Sequence, residues 1–498
     1  MAPAKAGAGL AALASLVLAV AAAAQNPPAP GGARKARDCD VVITGVEVNG
    51  VPTHSQSFGT PTGQKNVFIG GGFDARCAGT DQRIRSDSAE QYGDEKRMIL
   101  IGNVHYTETK MKLDADRMTY YTGEERLVAE GNVKGITSSG THFTGPRAEY
   151  LRAVKGVRDR SMLTADARPN VWLSPQDAGT TTKDSTNLQA DRVISDNDSL
   201  VYAKGRVVIE RPDLSTTSDS AFMDNGKEFV RLVYTPKIVG RGERKFTLDG
   251  EVIDIFSKQR KVQRVKSAGK AKAVSDDMVM TSDTIDLRIT DEKLSRAYAW
   301  GPSHARAKSK DQDLTADSIE VLMPGQVLRE MHSVGRAMAV SVADTAKIIS
   351  KDPDRLTGDT IVAYFDSVAT GDTTNKPAIR RIVANGSQKP ATSYNQVAPS
   401  GAGKTDKPNI NYVTGDLITV DFKDRQLESV TVTGHASGFY LDAATDSSRA
   451  GAAADSAAKK PTAATKSPAT KPPPSKPQPP ASTKRPSLTT SMPPRTGT

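Results

Sequence analysis

The chain has 498 residues and a mass of 53.0 kDa, room for several domains and far too much for a fold held mainly by disulfides. With 37% hydrophobic residues, 5% aromatic residues and a mean hydropathy of -0.45, it is not a polytopic membrane protein, and an elongated or partly disordered chain is favoured. The net charge of +10 does not mark a nucleic-acid binder: residues 451–498 hold eight Lys or Arg against Asp455, Lys5 adds one more, and the remaining 426 residues carry only +2.

Residues 1–24 read as a cleavable secretory signal, with Lys5, an apolar run from Leu10 to Val20 and the small residues Ala22-Ala23-Ala24. The run is short for a membrane span and no cysteine follows it to accept a lipid, so an exported, soluble chain starting near Gln25 is expected. In an oxidising compartment Cys39 and Cys77 are expected to pair and tie down an N-terminal segment, residues 25–83. His54, His105, His142, His304, His332 and His435 are scattered, so no metal site is expected.

From about Ile84 the chain repeats one pattern. In Leu113-Asp114-Ala115-Asp116-Arg117-Met118-Thr119-Tyr120, apolar residues alternate at 113 and 115, and the phase then slips by one so that they return at 118 and 120. The same slip is centred on Ser86, Gly145, Ala190, Ser218, Gly250, Ser282, Ala316, Gly358 and Gly415, at intervals of 28 to 57 residues. A period-two pattern that changes phase is that of a strand whose side chains are re-aimed at a bulge or corner. An acid follows the central residue in all these copies but the one with Pro146, and its recurrence points to a structural task, such as accepting backbone N–H bonds that the bulge leaves free.

A second element alternates without interruption around a glycine, as in Leu127-Val128-Ala129-Glu130-Gly131-Asn132-Val133. Equivalent glycines are Gly102, Gly205, Gly269, Gly301, Gly335, Gly386 and Gly434. Corner and glycine elements alternate, no helical periodicity is sustained, and Val, Ile, Thr and Tyr abound, so the body is all-β. The expected boundaries are repeats over 84–386, an exposed loop or linker over 387–409, a final β repeat over 410–442, and a disordered Pro-, Lys- and Ala-rich tail over 443–498. A degenerate copy is read around Ala165-Asp166, Val171 and Leu173.

The strings Gly102-Asn103-Val104, Leu113-Asp114-Ala115-Asp116, Leu127 to Val133 and Gly145-Pro146-Arg147-Ala148-Glu149-Tyr150 resemble the OstA-like family of periplasmic lipopolysaccharide-transport proteins. The likeness is close over about Ile84–Tyr150 and looser to Ala436; the extra repeats, the Pro/Lys-rich tail and the Cys39–Cys77 head depart from it. The resemblance implies an elongated, twisted β-jellyroll of two facing antiparallel sheets, built here from about ten repeats. It implies a non-enzymatic periplasmic bridge that binds lipopolysaccharide through its acyl chains, takes no cofactor, and docks to inner- and outer-membrane components of an export machinery driven by an ATP-dependent transporter.

An acyl chain costs about 0.8 kcal/mol per exposed methylene in water, so a chain of about a dozen carbons faces on the order of 10 kcal/mol and must travel shielded. The inward set expected to line an apolar groove is Leu113, Met118, Tyr120, Phe143, Tyr150, Leu188, Val193, Leu248, Ile253, Ile255, Met280, Ile285, Leu287, Leu314, Ile319 and Val321. A packed sandwich writes the same alternation; the small residues Ala271, Ala273, Ala299, Ala305, Ala337 and Ala339 on the glycine strands favour a groove with room left in it. One strand per sheet per repeat gives a slab on the order of 50 Å long, with open sheet edges suited to head-to-tail association.

Gly401-Ala402-Gly403-Lys404-Thr405 lacks the first glycine and the helix of a phosphate loop, Gly70-Gly71-Gly72 reads as a turn or bulge, and no Gly-x-Ser-x-Gly occurs. The alternative function is a secreted β-solenoid scaffold or polysaccharide binder, for which Trp172 and Trp300 are the only tryptophan platforms.

Overall fold

The computed structural model describes residues 41–443 except 45–46, 49, 174–185, 242–245, 276–277, 311, 342–347, 349, 351, 367–377, 400–406 and 424–425, all within the first of two compact units, Met1–Ala443. The expected signal segment, Cys39, the Gly401–Thr405 motif and the tail beyond Ala443 lie outside the described residues. Cys77 is disulfide-bonded, and Cys39 is the chain's one other cysteine.

Strand Met111–Tyr121 shows the building rule. Its residues 111–114 pair with 105–108 on one side and 134–137 on the other, while 117–121 pair with 97–101 and 126–130, with a register slip between. The strand therefore belongs to two facing leaves and bends between them at Ala115-Asp116. Arg97–Glu108, Arg126–Thr137, Leu200–Glu210, Leu214–Asp224 and the long strands from Lys261 to Phe365 cross in the same way. Elsewhere the corner is sharp enough to divide the crossing into two strands, as at Thr186–Gln189 and Arg192–Asp196. Every pairing among the described strands is antiparallel, through hairpins, so the architecture is an all-β jellyroll of two leaves rather than a solenoid of parallel coils.

The leaves share a spine of corners. Gly131 and Asn132 both have positive φ, 78° and 46°, and the same left-handed pair recurs at Gly102-Asn103, Gly205-Arg206, Gly269-Lys270, Gly335-Arg336 and Gly434-His435. An acid from the preceding crossing lies over each of these glycines: a Cβ added to Gly131 would stand 2.5 Å from Oδ2 of Asp116, and Asp87, Asp191, Glu251, Asp317 and Asp416 occupy that place at the others. The residue after the glycine reaches back to the carboxylate. Asn132 Nδ2 donates to Asp116 at 2.8 Å, Arg206 Nη2 to Asp191 at 2.6 Å and Arg336 Nη2 to Asp317 at 2.6 Å, while His435 Nδ1 lies 2.8 Å from Asp416. The recurring acids are thus structural, but side chains supply most of their donors; the expected backbone bond is found at Asp283, which accepts from Ser303 N at 2.6 Å, and at Asp359, which accepts from Gln388 N.

Two crossings carry no glycine signal. Ala167-Arg168 and Tyr234-Thr235 hold the same pair of positive φ values without one, joining Met162–Asp166 to Asn170–Leu173 and Phe229–Val233 to Lys237–Gly240. At the glycine corners both the carboxylate above and the left-handed φ disfavour a side chain. Gly71 and Gly72, with φ of 74° and 108°, form a further corner between Lys65–Gly70 and Phe73–Cys77, so the segment before residue 84 continues the stack.

Two expectations need correction. The 387–409 stretch is not simply a linker: Ala391–Val397 is a strand that pairs with both Asp354–Phe365 and Asn409–Gly415, so the sheet runs through it. A glycine crossing adds a strand to each leaf just as a corner crossing does. Each repeat therefore lengthens both leaves by two strands, and about twenty rungs at ~4.8 Å give a stack on the order of 100 Å, twice the expected length.

Gly131→Ala is expected to weaken its corner by about 2 kcal/mol, through the left-handed φ and the clash with Asp116. Faster amide hydrogen exchange over residues 126–137 measures it. Adding Asp116→Ala should restore most of the protection, since Ala167 adopts the same dihedral region opposite Gly145-Pro146, where no acid follows the corner residue.

Candidate functional site

All the expected groove residues point between the leaves, and none is more than 9% exposed. Leu113, Phe143, Leu188, Leu248, Met280 and Leu314 come from one leaf; Met118, Tyr120, Tyr150, Val193, Ile253, Ile255, Ile285, Leu287, Ile319 and Val321 come from the other. They join one apolar cluster that runs from Ile69 to Val420. Leu100, Leu127, Leu232 and Ile238 are equally interior but were not among the expected set. Leu127 is visible in the alternation of its glycine element, whereas Leu232 and Ile238 flank the Tyr234-Thr235 corner, which has no such marker.

The seam is filled by these side chains, so the room expected beside the alanines is not a standing groove. Ala299 and Ala305 are fully buried, Ala271 and Ala337 nearly so, and Ala273 and Ala339 pack against the cluster. Apolar walls facing across a narrow gap exclude water and close on each other. Among the described residues, the seam keeps a slot of about 20 Å³, room for one water, lined by Thr137, Thr141 and Phe143 from one leaf and Leu163, Val193 and Val201 from the other. Admitting an acyl chain requires the leaves to part.

The direction of parting follows from connectivity. The spine carries a covalent crossing at every rung, whereas on the opposite side each leaf ends in its own row of hairpins. That side is the mouth, and polar groups hold it closed near the N-terminal end. Glu108 on one leaf accepts from Tyr150 Oη and from Arg152 Nε, at 2.6 Å for the latter, on the other leaf. Tyr120 Oη donates to Glu125 at 2.7 Å, and Arg152 also lies 3.6 Å from Asp81 and 3.9 Å from Glu125. Gln82 Nε2 donates to Tyr106 Oη at 3.1 Å. Further along, Arg211 Nη2 donates across the mouth to the Arg260 carbonyl.

Glu108 and Glu125 are buried and share the partly buried guanidinium of Arg152, and Arg158 donates to the Glu125 carbonyl beside it. Burial, then the neighbouring carboxylates, push the phenols of Tyr106, Tyr120 and Tyr150 above their ordinary value. For Arg152, burial favours the neutral form, but the hydrogen bond and charge of Glu108 outweigh it and the guanidinium is held more firmly protonated.

No family model and no curated protein matches the chain. Among solved structures it is similar to the crystal structure of LptH from Pseudomonas aeruginosa, described as the LptA-homologous periplasmic component of a lipopolysaccharide transport device. The identity is 17%, the likeness covers 23% of this chain and 81% of that one, and the TM-score is 0.20. No helix among the described residues is long and apolar enough to cross a membrane.

Arg152→Ala leaves the buried carboxylate of Glu108 without its cation and is expected to cost about 3–5 kcal/mol. Glu108→Gln/Arg152→Met should recover much of this, and urea unfolding followed by hydrogen exchange at 105–108 and 147–151 measures both. The buried phenols predict an alkaline limit. Their folded pKa values lie above the unfolded value of about 10, so their stabilisation is complete below pH 10 and falls above it. The slope is about 1.4 kcal/mol per pH unit for each tyrosine, and Tyr120→Phe/Tyr150→Phe should flatten it in urea titrations from pH 9 to 11.5.

Proposed function

We propose that the chain is a non-catalytic periplasmic carrier that shields the acyl chains of lipopolysaccharide between its two leaves and bridges components of the inner and outer membranes. The observation that carries this reading is the unbroken apolar seam, closed covalently along the spine alone. A chain entering through the mouth replaces side-chain contacts with lipid contacts of the same kind, so opening exposes little net apolar surface to water. The strings around Gly102, Asp116, Gly131 and Gly145 that resemble the OstA-like family form continuous, fully paired rungs of the same seam and support the same cargo.

Bridging is supported by the ends of the stack. His54–Gly59 is exposed throughout, with Phe58 56% exposed, and pairs on one side with Lys65–Gly70. At the other end Ser437–Leu441 pairs with Asn409–Gly415, and Phe439, Tyr440 and Leu441 are each more than half exposed. Among the described residues these are edge strands, and edge strands with apolar side chains suit strand addition, either from membrane-anchored partners or from a second copy, head to tail.

Photo-crosslinking in cells tests the cargo. A photoreactive residue at Ile285 or Ile319, both fully buried, should yield adducts with lipopolysaccharide, whereas the outward position Glu320, ion-paired to Arg296 at 2.5 Å, should not. Adducts at Glu320 alone, or at none of the three in a folded, exported variant, would sink the carrier reading.

A further inference from the structure

The outer face of the leaf that carries Leu113 and Phe143 holds a concave groove of about 960 Å³. Its floor is made of outward side chains from successive rungs: Arg83 and Arg85, His105, Lys112, Lys134 and, at the end, Trp172. Acids do not balance these cations. Arg83 and Arg85 share one carboxylate, Asp74, at 2.5 and 3.1 Å; Asp114 is 2.6 Å from His105; and no described carboxylate forms an ion pair with Lys112 or Lys134. Elsewhere on the outer faces arginines meet their own acids, as in Arg147 with Glu130 and Arg231 with Asp254 on the opposite leaf and Arg306 with Asp313 further along this one. The groove thus combines an uncompensated positive field with an indole at one end, the arrangement that suits a phosphorylated sugar: cations and imidazole for phosphate, an aromatic face for the apolar side of a pyranose.

The groove and the seam meet at one hairpin. Residues 137 and 141 face the slot, while their neighbours Ile136 and His142 face the groove, so the rim between the two is one residue thick. Phe143 lines both spaces, its ring packed on the inner side of Gly135 where a Cβ would stand. An amphiphile at this rim places apolar chains on one side and an anionic head on the other without crossing a polar gap.

The geometry points to a headgroup site: the groove seats the phosphorylated saccharide of the same amphiphile whose acyl chains enter the adjoining seam. This rests on the carrier reading, and the two are separable by experiment. The full chain carrying Trp300→Phe, which leaves Trp172 as the sole indole, is titrated with a bis-phosphorylated, deacylated glucosamine disaccharide while its fluorescence is followed. Saturable binding is expected. Lys112→Glu/Lys134→Glu, at two exposed positions, should weaken it at least tenfold and flatten its salt dependence, and the unphosphorylated disaccharide should bind at least tenfold more weakly than the phosphorylated one.

Absence of binding, affinity unmoved by the charge reversals, or equal affinity for the unphosphorylated sugar would overturn the headgroup site. So would binding to phosphatidylglycerol vesicles through Lys112 and Lys134 without binding of the disaccharide. Adducts at Ile285 and Ile319 that persist under any of these results leave the carrier standing and remove only the headgroup site; saccharide binding without such adducts does the reverse.

Discussion

The protein depends on one constraint: every crossing passes through both leaves and turns between them, at most alternate rungs through a left-handed pair of residues. Because the turn recurs at each rung, the leaves are bonded along the spine and merely packed along the mouth. Sheet hydrogen bonds run along the stack within each leaf, so separating the leaves at the mouth breaks none of them. What resists separation is the apolar contact of the interior and, near the N-terminal end, the buried pairing of Glu108 with Tyr150 and Arg152.

These two resistances differ in kind. Apolar contact is lost in proportion to area, at about 25 cal/mol per Å², and any apolar guest that covers the same wall returns it. The Glu108–Arg152 pairing is lost in one step and is not returned by a hydrocarbon chain, because a carboxylate without its cation in an apolar seam is costly. The seam is therefore expected to open more readily beyond this cluster than at it. The slot lined by Phe143, Leu163 and Val193 lies immediately beyond, on the next rungs.

Much of this was legible from residues. The one-place slip in alternation marks a strand changing leaves, and Ser86, Ala115, Gly145, Ala190 and the later centres all fall at corners. The inward set followed from the same alternation, because a residue's face is decided by parity once the slip is located. The Ala167-Arg168 and Tyr234-Thr235 corners were not marked as corners, since non-glycine residues hold the left-handed pair there. The strand at Ala391–Val397 was hidden for another reason: its Ser, Tyr, Asn and Gln are half-polar and adjoin a Ser-, Gly- and Lys-rich stretch. Parity also left open whether the inward residues face a void or one another, which depends on the separation of the leaves and not on the order of side chains. The mouth cluster was invisible because Glu108, Tyr150 and Arg152 are brought together across more than forty residues of chain.

The charge at the groove follows from the same construction. Alternation assigns every second residue to the outside, and an outer face that serves only solubility settles into cross-strand pairs such as Arg231 with Asp254, where each cation is met by the acid opposite. The register that places Asp114 opposite Lys134 offers such a pair on the other leaf, yet Asp114 turns to His105. Lys134 and Lys112 are left with their charge directed outward. A cation left without an acid at this point stabilises nothing within the sheet, and its field extends about a Debye length into solvent, some 8–10 Å, across the hairpin rim where the apolar slot begins. Charge and hydrocarbon walls are thus presented side by side by one hairpin, with Phe143 as the common boundary.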